Sequence, residues 1–221
     1  MHSILRTLLV FVLLAAAGFA TYAPMVPEWR KKAEAGDAAS QELMGECYAD
    51  DASSDGIPLD YAEAIKWFRK AADQGDSTAQ YNLGIKYNNG QGVPKDYAEA
   101  VKWYRKAADQ GSANAQYGLG VMYAYGEGVP KDSAEAVKWY RLAAEQGDAI
   151  AQSEVGRMYA IGEGVPKDLV QAHVWLNIAG ANGNEIAKNN LAIVEKEMTS
   201  EQKAEAMKLA RELFAKLPKG K

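Results

Sequence analysis

Few side chains in this 221-residue sequence are of types that do chemistry, and spacing decides what each can do. Beyond residue 23 one histidine remains, His173, a candidate general base or pH switch. It stands where the surrounding pattern has Ile65, Val101 and Val137, with no nucleophile or acidic partner placed beside it, so it reads as a partly buried variant of a core position. Cys47 is the single cysteine, so the monomer has no disulfide; its counterparts Lys86, Met122 and Met158 favour burial over intermolecular pairing. Asp51, Ser53, Asp55 and Gly56 match positions 1, 3, 5 and 6 of a calcium loop, but Ala62 takes the twelfth position and Pro58 interrupts it. That stretch reads as a solvated acidic turn. Ser200 and Lys203 have the spacing of a serine nucleophile and its lysine, without the Ser-Asp-Asn and Lys-Thr-Gly segments that chemistry requires. Metalloprotease and phosphate-loop motifs are absent. No catalytic residue, metal ligand or cofactor is expected, and the remaining candidate is a binding surface.

That surface depends on a repeat. Trp67, Trp103, Trp139 and Trp175 recur every 36 residues, as do Gly75, Gly111, Gly147 and Gly183. Gly84, Gly120 and Gly156 keep the same period, which marks a stacked-repeat architecture. Asp60, Asp96, Asp132 and Asp168 each precede an apolar-periodic run, with Glu63, Glu99, Glu135 and Gln171 three residues on. This predicts an N-cap with a reciprocal capping box. Ala64, Trp67 and Ala71, widened by Ile65, Phe68 and Ala72, form one buried face of that helix. Gly75 and its copies end it, and Asp76, Ser112, Asp148 or Asn184 caps the next. The next helix carries Ala79, Leu83 and Tyr87 on one face, copied as Ala115, Leu119, Tyr123 and as Ala151, Val155, Tyr159. A glycine beside that face costs about 1 kcal/mol of helix propensity. Its recurrence predicts room for a neighbouring Trp or backbone.

The motif Ala-x-x-x-Leu-Gly-x-x-Tyr-x-x-Gly-x-Gly-Val-Pro-x-Asp…Ala-x-x-Trp-x-x-x-Ala-Ala-x-x-Gly resembles the Sel-one-like repeat, a relative of the tetratricopeptide repeat, from about Ala33 to Ala192. The resemblance implies an all-α fold, an α/α solenoid in the form of a right-handed superhelix of helix-turn-helix repeats. It also implies a scaffold or adaptor that binds proteins or peptides; many such proteins are bacterial and exported. Some disulfide-rich members bind or cleave β-lactams, but their cysteine framework is missing here. A cell-wall-compartment hydrolase or β-lactam-binding protein stands as the alternative.

In chain order, 1–23 reads as a signal peptide: Arg6, an apolar run from Leu8 to Ala17, then small residues that suit cleavage after Ala20 or Ala23. An uncleaved membrane anchor is the rival reading, and it alone would bring a membrane into the account. A periplasmic or secreted chain follows from cleavage. Residues 24–36 form an N-terminal capping half-repeat, with four repeats over 37–75, 76–111, 112–147 and 148–183 and C-terminal capping helices over 184–221. Thr199 and Gln202 open a more polar terminal helix, and Pro218 to Lys221 is expected to fray. The net charge is −4, with no basic stripe, which argues against nucleic acid as a partner. A monomer is expected, with self-association as the alternative.

With each first-helix glycine as origin, positions −5, −1 and +3 face the core, and −3, +1 and +5 face the opposite way. In the second repeat these are Tyr81, Ile85 and Asn89; in the third, Tyr117, Val121 and Tyr125. The first repeat has Glu42, Glu46 and Asp50, and the fourth Ser153, Arg157 and Ile161. If first helices line a concave side, as in the tetratricopeptide relatives, the groove is aromatic in its middle and acidic at one end. Tyr81, Ile85, Asn89, Tyr117, Val121, Tyr125 and Arg157 are the candidate partner-binding residues, against the reading that some of them pack between repeats.

Overall fold

A computed structural model describes residues 25–50 and 57–218; the leading apolar segment and the acidic turn from Asp51 to Gly56 lie outside them. Among the described residues there are eleven helices: α1 (Val26–Glu34), α2 (Ala38–Ala49), α3 (Tyr61–Asp73), α4 (Ser77–Asn89), α5 (Tyr97–Asp109), α6 (Ala113–Tyr125), α7 (Ser133–Glu145), α8 (Ala149–Ile161), α9 (Leu169–Ala181), α10 (Glu185–Glu197) and α11 (Ser200–Phe214). They form an all-α solenoid of repeated helix-turn-helix modules. Two compact units are present, one running up to Ala79 with Gln91–Val93, the other made of Gln80–Gly90 and the chain from Pro94 on. No helix among the described residues is long and apolar enough to cross a membrane.

α5 shows why these sequences fold locally as they do. Asp96 is extended and accepts the Glu99 N–H at 2.9 Å, so it caps the first turn. Ala100, Val101, Trp103, Tyr104, Ala107 and Ala108 are buried along one face. Past its end the Ser112 N–H reaches the Ala107 carbonyl at 3.1 Å and the Gly111 N–H reaches Ala108 at 2.9 Å, the double closure of a Schellman turn. Asp60, Asp132 and Asp168 cap α3, α7 and α9 in the same way. The reciprocal half of the expected capping box does not form in these repeats. Glu63, Glu99 and Glu135 instead pair with Lys66, Lys102 and Lys138 one turn on, at 2.7–2.8 Å, and Glu135 also accepts the Trp139 indole N–H at 3.1 Å. A charged partner at i+3 outcompetes the lone cap N–H. Thr199 and Gln202 do form the full box at the start of α11.

The recurrent helix glycine makes room for the residue after the tryptophan, not for the tryptophan itself. A Cβ on Gly120 would collide with the Tyr140 ring, and Gly84 and Gly156 meet Tyr104 and Leu176 likewise. In the first unit Gly45 meets Phe68. Without these glycines the helix pairs could not approach closely enough to bury the rings; Tyr140 is 2% exposed. The Gly-x-Gly turn has a different cause. Gly126 sits at φ 74° and closes α6 on the Met122 carbonyl. At Gly128 (φ 72°) any Cβ would strike the backbone of Tyr97, at the start of the preceding second helix.

A ladder of amides ties neighbouring repeats together. Gln146 donates to Gln116 at 2.7 Å, and Gln116 donates to the Ala108 carbonyl at 3.3 Å. Gln110 to Gln80 and Asn182 to Gln152 repeat the contact in the same unit, and Gln74 to Gln41 repeats it in the first. Gln116 and Gln152 are buried, so each bond satisfies a group that would otherwise be costly to desolvate.

The last helix packs against the final repeat. α11 packs on the outer side of α9. Val174 and Ile178 are buried there, joined with Ala206 and Ala210, at the positions where α5 carries Lys102 and Lys106.

Candidate functional site

The candidate residues of α4, α6 and α8 lie in the second unit, and the structure sorts them by exposure. Tyr125 stands 74% exposed at the end of α6, and Asn89 is exposed at the end of α4. Tyr81, Ile85, Tyr117 and Val121 are half-buried. They do not point cleanly away from the core. Tyr81 and Ile85 pack on the cluster that contains Val101 and Tyr104, and Tyr117 and Val121 on the one that contains Val137 and Tyr140. The Tyr117 ring centroid is 5.6 Å from that of Tyr140, tilted by 40°, and Tyr81 meets Tyr104 at 5.8 Å and 36°. The reason is the glycine one helical turn on: a ring seated over Gly120 or Gly84 is wide enough to touch both the core-facing and the opposite side of the helix. Each half-buried tyrosine therefore shares its area between the fold and a surface.

Arg157 is half-buried, and its guanidinium is already engaged. Nε lies 2.9 Å from Glu154 and Nη1 3.2 Å from Glu163. Burial works against its charge, but the two carboxylates outweigh it and hold its pKa above the ordinary value. Glu163 also accepts the Ser133 hydroxyl at 3.0 Å and sits 3.7 Å from Lys131. These bonds, Ser133 first and Arg157 next, keep its carboxyl below the usual range. Sequence reading singled out Arg157 and missed both acids. The signals were a Glu three residues before the Arg on one helix, and an acid inside the Gly-x-Gly turn. Burial raises the Tyr117 phenol, with Glu154, Asp148 and Tyr125 adding to it, so the surroundings of this ring are acidic.

The acidic stretch of the first repeat lies in the first unit. Glu46 and Asp50 are exposed, but Glu42 is half-buried and its carboxyl is pushed up to about 8, by burial first and then by the charge of Glu46. Cys47 is buried. His173 is fully buried rather than partly so, with Nε2 3.2 Å from Glu195. The structure thus supplies an acidic partner that the sequence pattern hid, 22 residues away, with the imidazole enclosed and the Glu195 side chain 37% exposed. Among the described residues no group of three or more His, Cys, Asp or Glu side chains is arranged to hold a metal ion.

Comparison with known proteins places this geometry in context. The Sel1 repeat model matches residues 38–76, 77–112, 113–148 and 149–184. A protective antigen present in uropathogenic Escherichia coli strains, displaying an SLR fold, is 35% identical with a TM-score of 0.82; the match covers 93% of this chain and 44% of the antigen, so this chain spans less than half of that protein. A Sel1 repeat protein from Oxalobacter formigenes is 34% identical over 86% of this chain and 79% of its own, with a TM-score of 0.72. An immunity protein from Pseudomonas aeruginosa, 21% identical over 89% of this chain and 75% of its own with a TM-score of 0.52, shares the fold. No curated protein matches the chain.

Proposed function

The chain belongs to the Sel1 repeat family, and from that premise we propose that it is an exported scaffold or adaptor that captures a protein or peptide on the first-helix face of its repeats, without catalysis of its own. Repeat proteins of this kind serve protein–protein interaction. The observation that carries the finer reading is Tyr125, 74% exposed, standing beside half-buried Tyr117 and Val121 on one helix. An aromatic anchor on a rigid helix offers large contact area at small entropic cost. Tyr81, Ile85 and Asn89 of α4 extend the same register, and the Arg157 cluster borders it with fixed charge. Export rests on Arg6 and the apolar run from Leu8 to Ala17, with cleavage after Ala20 or Ala23.

Affinity capture from a periplasmic fraction tests the reading, with the chain as bait and Tyr125→Ala beside it. A discrete partner held by the wild type and depleted with the variant is the expected result. Equal capture by both would remove this face from the account. N-terminal sequencing of the exported protein separates cleavage after Ala20 or Ala23 from an uncleaved anchor.

A further inference from the structure

Within the second unit, first helices α6 and α8 are sealed by the helix that follows them: Tyr140 covers Gly120 and Leu176 covers Gly156. In α10 the same register position is Ala192, and it is exposed. The linker explains the difference. Residues 126–132 and 162–168 let α7 and α9 turn back onto α6 and α8, whereas only Met198 and Thr199 separate α10 from α11. With so short a connection α11 swings onto α9, where Val174 and Ile178 receive it. Among the described residues, α10 keeps one side without a helix upon it.

That side carries two large exposed apolar side chains. Ile186 is 68% exposed and Ile193 58%, one heptad apart on one stripe, with exposed Asn189 between them. At the register of Ile193, the second and third repeats hold half-buried Ile85 and Val121, while the first holds Glu46 and the fourth Arg157. The stripe is also self-complementary under reversal. Laid antiparallel on a copy of itself about a centre between Asn189 and Asn190, Ile186 meets the other copy's Ile193. The two asparagines face their counterparts at the axis, and Glu185 of the first turn, which pairs with Lys188 of its own helix at 2.7 Å, comes beside Lys196 of the last turn opposite. Opposite charges and opposed helix dipoles both favour that arrangement. A small residue at 192 keeps the close approach open that the earlier glycines provide.

We propose that α10 is a self-association surface, through which two copies of this chain pair across a two-fold axis with Ile186 and Ile193 at its centre. An isologous contact of this kind closes at two copies and does not propagate. The patch is small, so the dimer is a weak one that forms at high protein concentration.

Sedimentation equilibrium of the full chain over a concentration series tests this. Mass rising toward twice that of the monomer is expected, with association weakened at least tenfold in Ile193→Asp while thermal melting stays unchanged, because that side chain is exposed. Glu185→Lys alone weakens pairing, and Glu185→Lys combined with Lys196→Glu restores it, an outcome that a merely hydrophobic contact would not give. A monomeric mass throughout overturns the proposal and leaves the stripe to a partner of different sequence. An unchanged association constant in Ile193→Asp overturns it as well and moves the contact off α10.

Discussion

Tyr117 and Tyr125 lie two turns apart on α6 and do different work. Tyr117 rests its ring on Tyr140, so its removal strips area from the core cluster of its unit. Tyr117→Ala should cost about 1–2 kcal/mol of stability, below the loss for a fully buried aromatic, in a denaturant titration. An unchanged midpoint would detach it from Tyr140. The sequence pattern had placed Tyr117 facing away from Leu119 and Tyr123, because a one-helix projection carries no width for the ring of the next helix. A second titration at this scale concerns Glu42, held near 8 by burial and by Glu46. Its neutral form is favoured in the folded state, so the native chain keeps a proton that the unfolded chain has released above the ordinary carboxylate range. Stability contributed by this site therefore falls as pH rises from about 4.5 to about 8. Glu42→Gln should raise the melting temperature at about pH 9 and lose most of that advantage at about pH 5. Parallel melting curves for the two proteins at both pH values would contradict it.

At the scale of elements, capping and period were readable and seating was not. Asp96, Trp103 and Gly111 mark where α5 starts, what it buries and how it stops, and each appears in the sequence at a fixed interval. Which side chain fills the hollow over Gly120 was not readable, because Trp139 and Tyr140 are adjacent and both aromatic. The amide ladder was likewise printed in the repeat as Gln80, Gln116 and Gln152, but its partners sit 30 residues on, beyond any local pattern. The outward replacements Val174 and Ile178 stand where α5 has lysines, and the periodic pattern alone gave no sign that α11 covers α9 there. A paired substitution on α6 tests the seating. Gly118→Ala places a methyl 3.4 Å from the Tyr104 ring, an ordinary contact, and should gain up to about 1 kcal/mol of helix propensity. Gly120→Ala drives the same methyl into Tyr140 and should lose about 1–2 kcal/mol despite that gain. Equal effects of the two changes in thermal melts would show that Tyr140 does not occupy the hollow.

For the molecule as a whole, stability comes from neighbour-to-neighbour interfaces, as in other repeat stacks, and this leaves the outward faces free to vary. The fold was legible because every module repeats the same constraints. The candidate site was legible only as a register: −3, +1 and +5 named the side chains, while their exposure was decided by the neighbouring rings and by Glu154 and Glu163 closing on Arg157. The most direct test of the scaffold reading is the affinity of the captured partner for Tyr125→Ala, measured by titration calorimetry beside the wild type. Tyr125 has little to contribute to folding at 74% exposure, so melting should not change. Binding weaker by about fivefold or more, roughly 1 kcal/mol, is the predicted result for an aromatic anchor. Undiminished affinity with unchanged melting would contradict the assignment of binding to this face.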